Sequence, residues 1–285
     1  MPLLTIADLE QPAQIRNQFI THAMQLGTLW DQWKAQNSGD YEILTNFHGE
    51  EGRATGVHAS EISKCFRRLV YAIRGCQRRV MPEQKNTNMQ RRMDIGTLIH
   101  ALFQHEFHEM CDWLGGRVTF DDEVTISPKL GGVAERWNIY SSCDGVFTFW
   151  NEGQPYLRMG LEIKTMSDPE FTKMKEPLDY HQDQVCVYMK TLDLPLMWVL
   201  CVNKSNSRYT GPTAPFLFHF NSMLWTTKLE PRLAHAYRTA EDTGGQLPTR
   251  EEGMYCAWCP FAHDCKPQQL QQVGRNTTAI TSRDF

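Results

Sequence analysis

This sequence has no long hydrophobic run, since no segment approaches the roughly twenty consecutive apolar residues that cross a bilayer. Its first residues also lack the basic start and apolar core of a secretory signal peptide. Apolar residues make up 41% and charged residues 22% of its 285 residues, which is typical of a soluble globular protein. The sequence therefore predicts a cytoplasmic protein with no membrane partner.

The cysteine pattern of a secreted, disulfide-linked protein is also missing. The chain has nine cysteines, an odd number, and four of them are scattered singly, at Cys111, Cys143, Cys186 and Cys201. In a reducing compartment, such residues behave as small buried apolar side chains. The remaining, clustered cysteines therefore need an explanation other than a disulfide framework.

Three cysteines form a C-x2-C-x5-C group near the C-terminus, at Cys256, Cys259 and Cys265, and Cys65 lies far upstream. Four thiols can form a tetrahedral site, as in structural zinc sites and iron–sulfur clusters. Because protein sulfurs would fill all four positions, the predicted role is a structural clamp between distant parts of one domain. The spacing alone does not discriminate zinc from an iron–sulfur cluster.

The chain is not basic overall, because its formal net charge is -4. Charge is uneven, however, and the segment from Lys64 to Arg92 has nine basic residues and one acid. A local basic surface can bind a phosphate backbone while the rest of the protein stays acidic. The alternative is that this run is only a solvated face. The candidate DNA-binding residues are Arg67, Arg68, Arg91 and Arg92.

Hydrophobic periodicity predicts a mixed α/β fold. The predicted helices cover residues 3–37, 60–75, 94–113, 178–192 and 222–241. The predicted strands cover residues 118–120, 123–126, 145–150, 156–163, 197–202 and 216–220. Residues 81–90 are predicted as a loop. This order of elements predicts a central mixed sheet flanked by helices, preceded by an accessory helical element.

Two carboxylates and a lysine form the candidate catalytic core. Asp144 opens one arm of a predicted hairpin and Glu162 closes the other, so the two can lie opposite each other. Carboxylate oxygens suit Mg²⁺ or Mn²⁺, which activates water for phosphodiester hydrolysis. Lys164 points to the same side of the strand as Glu162, and the Ile163 carbonyl between them can add a ligand. The pattern alone is weak, because acidic and basic residues alternate on many exposed strands.

Polar residues on the two neighbouring helices support this interpretation. His100 lies on the helix before the sheet, and Gln184 and Tyr188 lie one turn apart on the helix after it. Structural alternatives stay open for each of them. A single helical histidine is usually structural, and Gln184 and Tyr188 could form a satisfied polar pair.

These motifs resemble, in the same order, those of RecB-type nucleases of the PD-(D/E)XK superfamily. The similar branch is the iron–sulfur one, which includes the CRISPR-associated adaptation nuclease, the AddB nuclease domain and eukaryotic exonuclease V. Six motifs in residues 58–267 carry the resemblance: S-E-I-S-K-C-F-R-R-L-V-Y, G-T-L-I-H, C-D-G, E-I-K, Q-V-C-V-Y and C-A-W-C-P-F-A-H-D-C. One departure is Ser141-Ser142-Cys143, which stands where the family often has a glycine before the first catalytic aspartate.

The resemblance implies an α/β fold with a restriction-endonuclease-like core and a cysteine clamp in residues 58–267. Residues 1–57 are expected to form an N-terminal helical extension, and residues 268–285 a flexible tail. The implied ligands of the catalytic Mg²⁺ or Mn²⁺ are His100, Asp144, Glu162 and the carbonyl of Ile163. Lys164 would be the active-site lysine, and Gln184 and Tyr188 would support DNA positioning.

By the same resemblance, Cys65, Cys256, Cys259 and Cys265 would ligate a 4Fe-4S cluster, with structural zinc as the alternative. The implied activity is that of a metal-dependent DNA exonuclease on single-stranded ends, in recombination, repair or replication. DNA and proteins of those processes are its expected partners. The alternative function is a non-catalytic DNA-binding clamp with a structural zinc or iron–sulfur site.

Overall fold

A computed structural model describes residues 3, 5, 13–36, 56–79, 87–206, 209, 216–242, 247–251, 256 and 259–265. The predicted tail and most of the predicted loop 81–90 lie outside these residues. In the part of the chain that is described, no helix has the length and apolar character needed to cross a membrane.

Helices and strands are mixed along the chain. The helices are α1 (Ala13–Gln36), α2 (Phe66–Ile73), α3 (Thr87–Trp113), α4 (Gly132–Arg136), α5 (Asp168–Lys173), α6 (Asp179–Leu192), α7 (Ser222–Leu224) and α8 (Glu230–Glu241). The strands are β1 (Val118–Ile126), β2 (Ser141–Asn151), β3 (Gln154–Met166), β4 (Leu196–Asn203) and β5 (Phe216–His219). A π-helical turn, Trp225–Leu229, joins α7 to α8.

Within the described residues, the strands form one five-stranded sheet with the order β1-β2-β3-β4-β5. Neighbouring strands are antiparallel except β3 and β4, which are parallel. The parallel pair requires a crossover, and α6 provides it between β3 and β4. The predicted central mixed sheet with flanking helices is therefore confirmed.

Helices cover both faces of the sheet. On one face, the fully buried Trp30 of α1 contacts Phe103 and Phe107 of α3 and Trp198 of β4. A second apolar cluster on the other face includes residues of α2, α6 and α8. Because Trp30 lies in the core, α1 packs against this face of the sheet.

The starts of two helices differ from the prediction by several residues. The predicted helix 60–75 divides into a 3-10 turn, Ala59–Glu61, and α2, which has Cys65 as its N-cap. The first main-chain N–H of α2, that of Phe66, donates to the carboxylate of Glu251. Local sequence could not predict this partner, because it lies 185 residues away. The other difference is α3, which begins at Thr87, inside the predicted loop.

The two short strands predicted at 118–120 and 123–126 form one strand, β1. They look separate in sequence because the apolar alternation changes face within β1. Phe120 belongs to the apolar cluster that contains Trp30, whereas Ile126 belongs to the cluster on the opposite face. Glu123 lies between them with a left-handed φ of 46°, which turns the strand.

Candidate active site

The residues predicted to be catalytic lie together where α3 and α6 meet the centre of the sheet. They are His100 from α3, Asp144 from β2, Glu162 and Lys164 from β3, and Gln184 and Tyr188 from α6. Two helices, α3 and α6, and two strands, β2 and β3, therefore contribute to one polar cluster, which is called the carboxylate site below.

Asp144 lies where β2 separates from β3. The paired residues of these strands end at Gly145 and Leu161, so the next position places Asp144 opposite Glu162. Oδ2 of Asp144 accepts a hydrogen bond from the N–H of Ile163 at 2.6 Å. The Asp144 carboxylate thus takes the place of a main-chain acceptor, which holds it in line with the sheet.

His100 reaches the same carboxylate from α3. Its Nδ1 lies 3.4 Å from Oδ1 of Asp144. Burial by itself would raise the pKa of Asp144, but the charge of His100 and the N–H of Ile163 hold it below its usual value. Burial lowers the pKa of His100, and the charge of Asp144 reverses this and leaves it raised. The pair therefore favours an ionised aspartate beside a histidine.

Glu162 has one satisfied and one unsatisfied oxygen. Its Oε1 accepts hydrogen bonds from Nζ of Lys164 and, at 3.0 Å, from Nε2 of Gln184. Its Oε2 is buried and has no protein partner. Burial and the charge of Asp144 raise the pKa of Glu162 to about 7, against the lowering effect of Lys164. A buried carboxylate oxygen without a partner is costly, and a bound cation would satisfy it.

Gln184 and Tyr188 orient the residues of β3. The Gln184 Oε1 accepts from Nζ of Lys164 at 3.0 Å, and its Nε2 also donates to the Tyr188 hydroxyl at 2.6 Å. Ser141 donates to the same hydroxyl at 3.4 Å. Gln184 and Tyr188 are both buried. Besides each other, the partners of their side chains described above are Glu162, Lys164 and Ser141.

The donor set fits a hard divalent cation, because it combines two carboxylates with an imidazole. Among the described residues, no three His, Cys, Asp or Glu side chains already share a metal-binding arrangement. In the carboxylate site, Lys164 donates to an oxygen of Glu162 and the N–H of Ile163 donates to an oxygen of Asp144. Ile163 contributes through its main chain, since its side chain is buried in the apolar core.

The segment with the three clustered cysteines packs against α2. Tyr71 and Ala72 of α2 form an apolar group with Phe261, and Cys259 and Cys265 lie against this group. The N–H of residue Arg79 donates to the carbonyl of Pro260 at 2.9 Å, which joins the same two segments.

None of the nine cysteines, all of which lie among the described residues, is in a disulfide bond. Burial raises the pKa of Cys259, and charge on Cys65 and on Cys265 raises it further, so each of these two sulfurs is within electrostatic range of Cys259. Cys256 is tied to Cys259 through a main-chain hydrogen bond of 3.4 Å. Soft thiol donors suit Zn²⁺ or an iron–sulfur cluster, and ligation by these four cysteines stays a prediction.

The position of Arg67 does not fit the predicted contact with DNA. Its side chain is 1% exposed. The guanidinium donates to the carbonyl of Pro248 at 2.7 Å and to the sulfur of Cys265 at 3.7 Å. A phosphate cannot reach a guanidinium that is buried and bonded in this way, so Arg67 joins α2 to the cysteine segment instead.

Arg68 is also engaged inside the protein. Together with Arg78, it pairs with the fully buried carboxylate of Glu61. Burial alone would raise the pKa of Glu61, but the two arginines lower it to about 2. Arg92 of α3 is exposed, and the side chain of Arg91 lies outside the described residues. Of the four arginines, Arg92 is thus the one described with a surface position.

Sequence reasoning missed Gln104. This buried residue of α3 donates to the main-chain carbonyl of Asp144 at 2.9 Å and to Oε1 of Glu123 at 3.1 Å. The signal that could have found it is its spacing, because Gln104 is four residues after His100 and shares its helix face.

No protein-family model and no curated protein matches this chain. One similar solved structure is that of SSO0001, at 15% identity and a TM-score of 0.36, covering 86% of this chain and 97% of that chain. The structure of LHK-Exo in complex with dAMP is similar at 13% identity and a TM-score of 0.44. Another structure, of the alkaline exonuclease LHK-Exo from Laribacter hongkongensis, is similar at 11% identity and a TM-score of 0.37. Both LHK-Exo structures match 66% of this chain and 88% of that chain. At these values the likeness does not assign an activity.

Proposed function

We propose that this chain is a metal-dependent DNA nuclease with a PD-(D/E)XK-type core, acting as an exonuclease on single-stranded ends. The observation that carries the proposal is the arrangement of Asp144, Glu162 and Lys164 on adjacent strands, with one buried Glu162 oxygen that has no protein partner. Mg²⁺ or Mn²⁺ is the proposed cation, with His100 and the Ile163 carbonyl as further ligands, because the donors are mainly hard oxygens.

A divalent cation bound here would supply Lewis-acid chemistry, which lowers the pKa of water and offsets charge on phosphorus. The protein residues position the reactants. The N–H of Ile163 fixes the orientation of the Asp144 carboxylate, and Gln184 holds both Glu162 and the ammonium of Lys164. Lys164 can donate to a water or a phosphate oxygen when it turns from Glu162. In-line attack of water would leave 5′-phosphate and 3′-hydroxyl ends.

The N-terminal part of α3 is the proposed path for the DNA backbone. Arg92 is exposed there, and it precedes His100 by eight residues, which is about 12 Å along a helix. A phosphate one or two nucleotides from the reacting bond lies at a comparable distance. Arg92 is therefore proposed to bind a backbone phosphate, which would help to position the strand without reading its sequence.

The cysteines are proposed to hold a 4Fe-4S cluster, with zinc as the alternative. The proposal is supported by four cysteines outside any disulfide in the segments that meet at α2, and by the electrostatic effect of Cys65 and of Cys265 on Cys259. A closed site of this kind would add its binding free energy to folding and join α2 to the C-terminal segment. The proposed partners are DNA ends and proteins of recombination, repair or replication.

The test is incubation of the purified protein with end-labelled single- and double-stranded DNA in Mg²⁺, Mn²⁺ or EDTA. Metal-dependent shortening of single strands from an end is expected, and Asp144→Asn and Glu162→Gln should each lower its rate at least about 10²-fold. Glu109→Gln is the matched control, because Glu109 is an exposed acid on α3.

The carboxamide variants should still bind DNA, since the proposed phosphate contact lies elsewhere. Wild-type rates in both variants would reject the carboxylate site. DNA binding without cleavage in any metal would support the alternative function, a non-catalytic DNA-binding clamp.

A further inference from the structure

We infer that Gln104 is a positioning residue for Asp144, and that it acts together with Glu123. The inference rests on the proposed nuclease site. Gln104 projects from α3 into the sheet, where its amide nitrogen contacts two acceptors from two strands: the main-chain carbonyl of Asp144 on β2 and the carboxylate of Glu123 on β1.

An opening in the β1–β2 ladder explains why a side chain can enter there. Paired residues flank the opening, with Asp122 opposite Gly145 on one side and Val124 opposite Cys143 on the other. The position between them, Glu123 opposite Asp144, is absent from the paired register. The left-handed φ of 46° at Glu123 turns its main chain away from a regular strand conformation. The amide of Gln104 then serves as the donor to the Asp144 carbonyl.

Asp144 is consequently held from both neighbouring strands. Its main-chain carbonyl accepts from Gln104, and its carboxylate accepts from the N–H of Ile163 on β3. A change in the main-chain conformation of Asp144 would break both the hydrogen bond from Gln104 and the hydrogen bond from Ile163. The direction in which Oδ1 faces the carboxylate site therefore depends on the Gln104 contact.

Glu123 in turn orients Gln104. Its Oε1 accepts from the Gln104 amide, and its Oε2 accepts from the hydroxyl of Ser142 at 2.7 Å. Ser142 belongs to the triplet that replaces the glycine expected before the catalytic aspartate. The hydrogen bonds among the side chains of Gln104, Glu123 and Ser142 thus restrain the main chain of β2 at Asp144.

A purely structural role for Gln104 makes a different prediction from a positioning role. If Gln104 only satisfies buried groups, its loss lowers stability and leaves Asp144 in place. If it positions Asp144, its loss also disturbs the Asp144 contact with Ile163 and weakens cation binding. Residues that orient metal ligands typically change metal affinity or activity by about 10-fold to 100-fold.

The decisive variant is Gln104→Glu, which keeps the shape of the side chain but removes the N–H donors. Gln182→Glu is the matched control, because Gln182 also donates to a main-chain carbonyl, that of Pro177 at 3.0 Å. Two measurements apply to both: hydrogen exchange of the Ile163 amide without metal, and Mn²⁺ affinity by electron paramagnetic resonance without DNA.

We expect faster exchange at Ile163 and roughly 10-fold weaker Mn²⁺ binding in Gln104→Glu, with kcat reduced and KM little changed. Gln182→Glu should change none of these. Glu123→Ala should show similar but smaller changes in Ile163 exchange and Mn²⁺ affinity. Glu123→Gln should remain close to wild type in both measurements, because the amide oxygen of glutamine can still accept from Gln104. Glu123 is exposed, so these two variants keep the test valid if Gln104→Glu does not fold.

Unchanged Ile163 exchange in folded Gln104→Glu and Glu123→Ala would overturn the positioning role. That outcome is distinct from failure of the proposed function. A wild-type protein that neither binds Mn²⁺ nor cleaves DNA would reject the nuclease, whereas the exchange measurement needs neither metal nor substrate and would still decide the role of Gln104.

Discussion

Trp30 of α1 donates its indole N–H to the buried carboxylate of Glu106 on α3, at a distance of 3.1 Å. Lys34, one turn further along α1, places its ammonium 3.5 Å from the same carboxylate. The N-terminal helix is thus fastened to α3 by a polar contact inside an apolar core. Because α3 also carries His100, α1 supports the helix that delivers a residue to the carboxylate site.

Replacing Trp30 should therefore reduce stability even though it lies outside the motifs of the carboxylate site. Trp30→Phe keeps an aromatic ring but leaves the Glu106 carboxylate short of a donor, and should cost about 1–3 kcal/mol of unfolding free energy. Trp30→Ala should cost about 3–5 kcal/mol. Urea unfolding measures both, with Trp113→Phe as the control because Trp113 is exposed. Equal stability of Trp30→Ala and wild type would show that α1 is dispensable.

Gly96→Ala should lower activity more than stability. A Cβ at residue 96 would lie 3.2 Å from Oγ1 of Thr165 on β3, so α3 would have to move by a few tenths of an ångström. His100 is one turn further along α3 and would move with it. We expect kcat to fall about 10-fold or more, since small displacements in a reacting geometry are costly.

A second substitution provides the control for this effect. Thr165→Ala removes the atom that the new methyl group would approach, so the double variant Gly96→Ala, Thr165→Ala should recover most of the lost activity. Steady-state cleavage of labelled single strands measures all three proteins. No recovery in the double variant would contradict the steric explanation.

Stability should depend on acid pH through Glu61. Its pKa is lowered to about 2 in the folded protein from an ordinary value of 4.5. A lowered carboxyl pKa contributes stability that is present above pH 4.5 and is lost as the pH falls toward 2. The contribution is on the order of 3 kcal/mol. Urea unfolding at pH 5, 4 and 3 should show a smaller loss in Glu61→Gln than in wild type; parallel losses would contradict the role of Glu61.

Arg67 and Arg92 should respond in opposite ways to alanine substitution. Arg92→Ala should flatten the dependence of log K for single-stranded DNA on log salt by about 0.7, with stability changed by less than about 0.5 kcal/mol. Arg67→Ala should leave that slope unchanged and lower stability and metal content, because its side chain bonds to Pro248 and Cys265. A salt titration of DNA affinity compares the two. A flatter salt dependence of DNA affinity in Arg67→Ala, with stability unchanged, would support the prediction from sequence that Arg67 binds DNA.

The cysteine centre should be recognisable from colour and metal content. Protein purified without oxygen should be brown and contain about four irons per chain, whereas zinc would leave it colourless. Cys65→Ser should lower metal content and thermal stability together. Cys201→Ser is the control, because Cys201 is fully buried in the apolar core of β4. Full metal content in Cys65→Ser would show that another residue is the fourth ligand, and Cys76 beside the same apolar group is the next candidate.

Local pattern predicted the sheet and the C-terminal ends of the predicted helices well, because periodicity depends on near neighbours. The hairpin of β2 and β3 was predictable from β-rich runs around a turn, and with it the position of Asp144 opposite Glu162. The boundary at Cys65 was not predictable, since the donor Phe66 N–H meets Glu251 across 185 residues.

The sequence by itself determined the fold class and the order of the candidate catalytic residues along the strands and helices. Only the tertiary structure decided how the arginines and the supporting polar residues are used. Arg67 looks like a surface cation in its basic segment, yet its partner Cys265 is 198 residues away. Gln104 meets Asp144 across 40 residues, and Trp30 meets Glu106 across 76. Burial and hydrogen bonding between distant segments depend on how the elements pack, and local spacing carries no record of that packing.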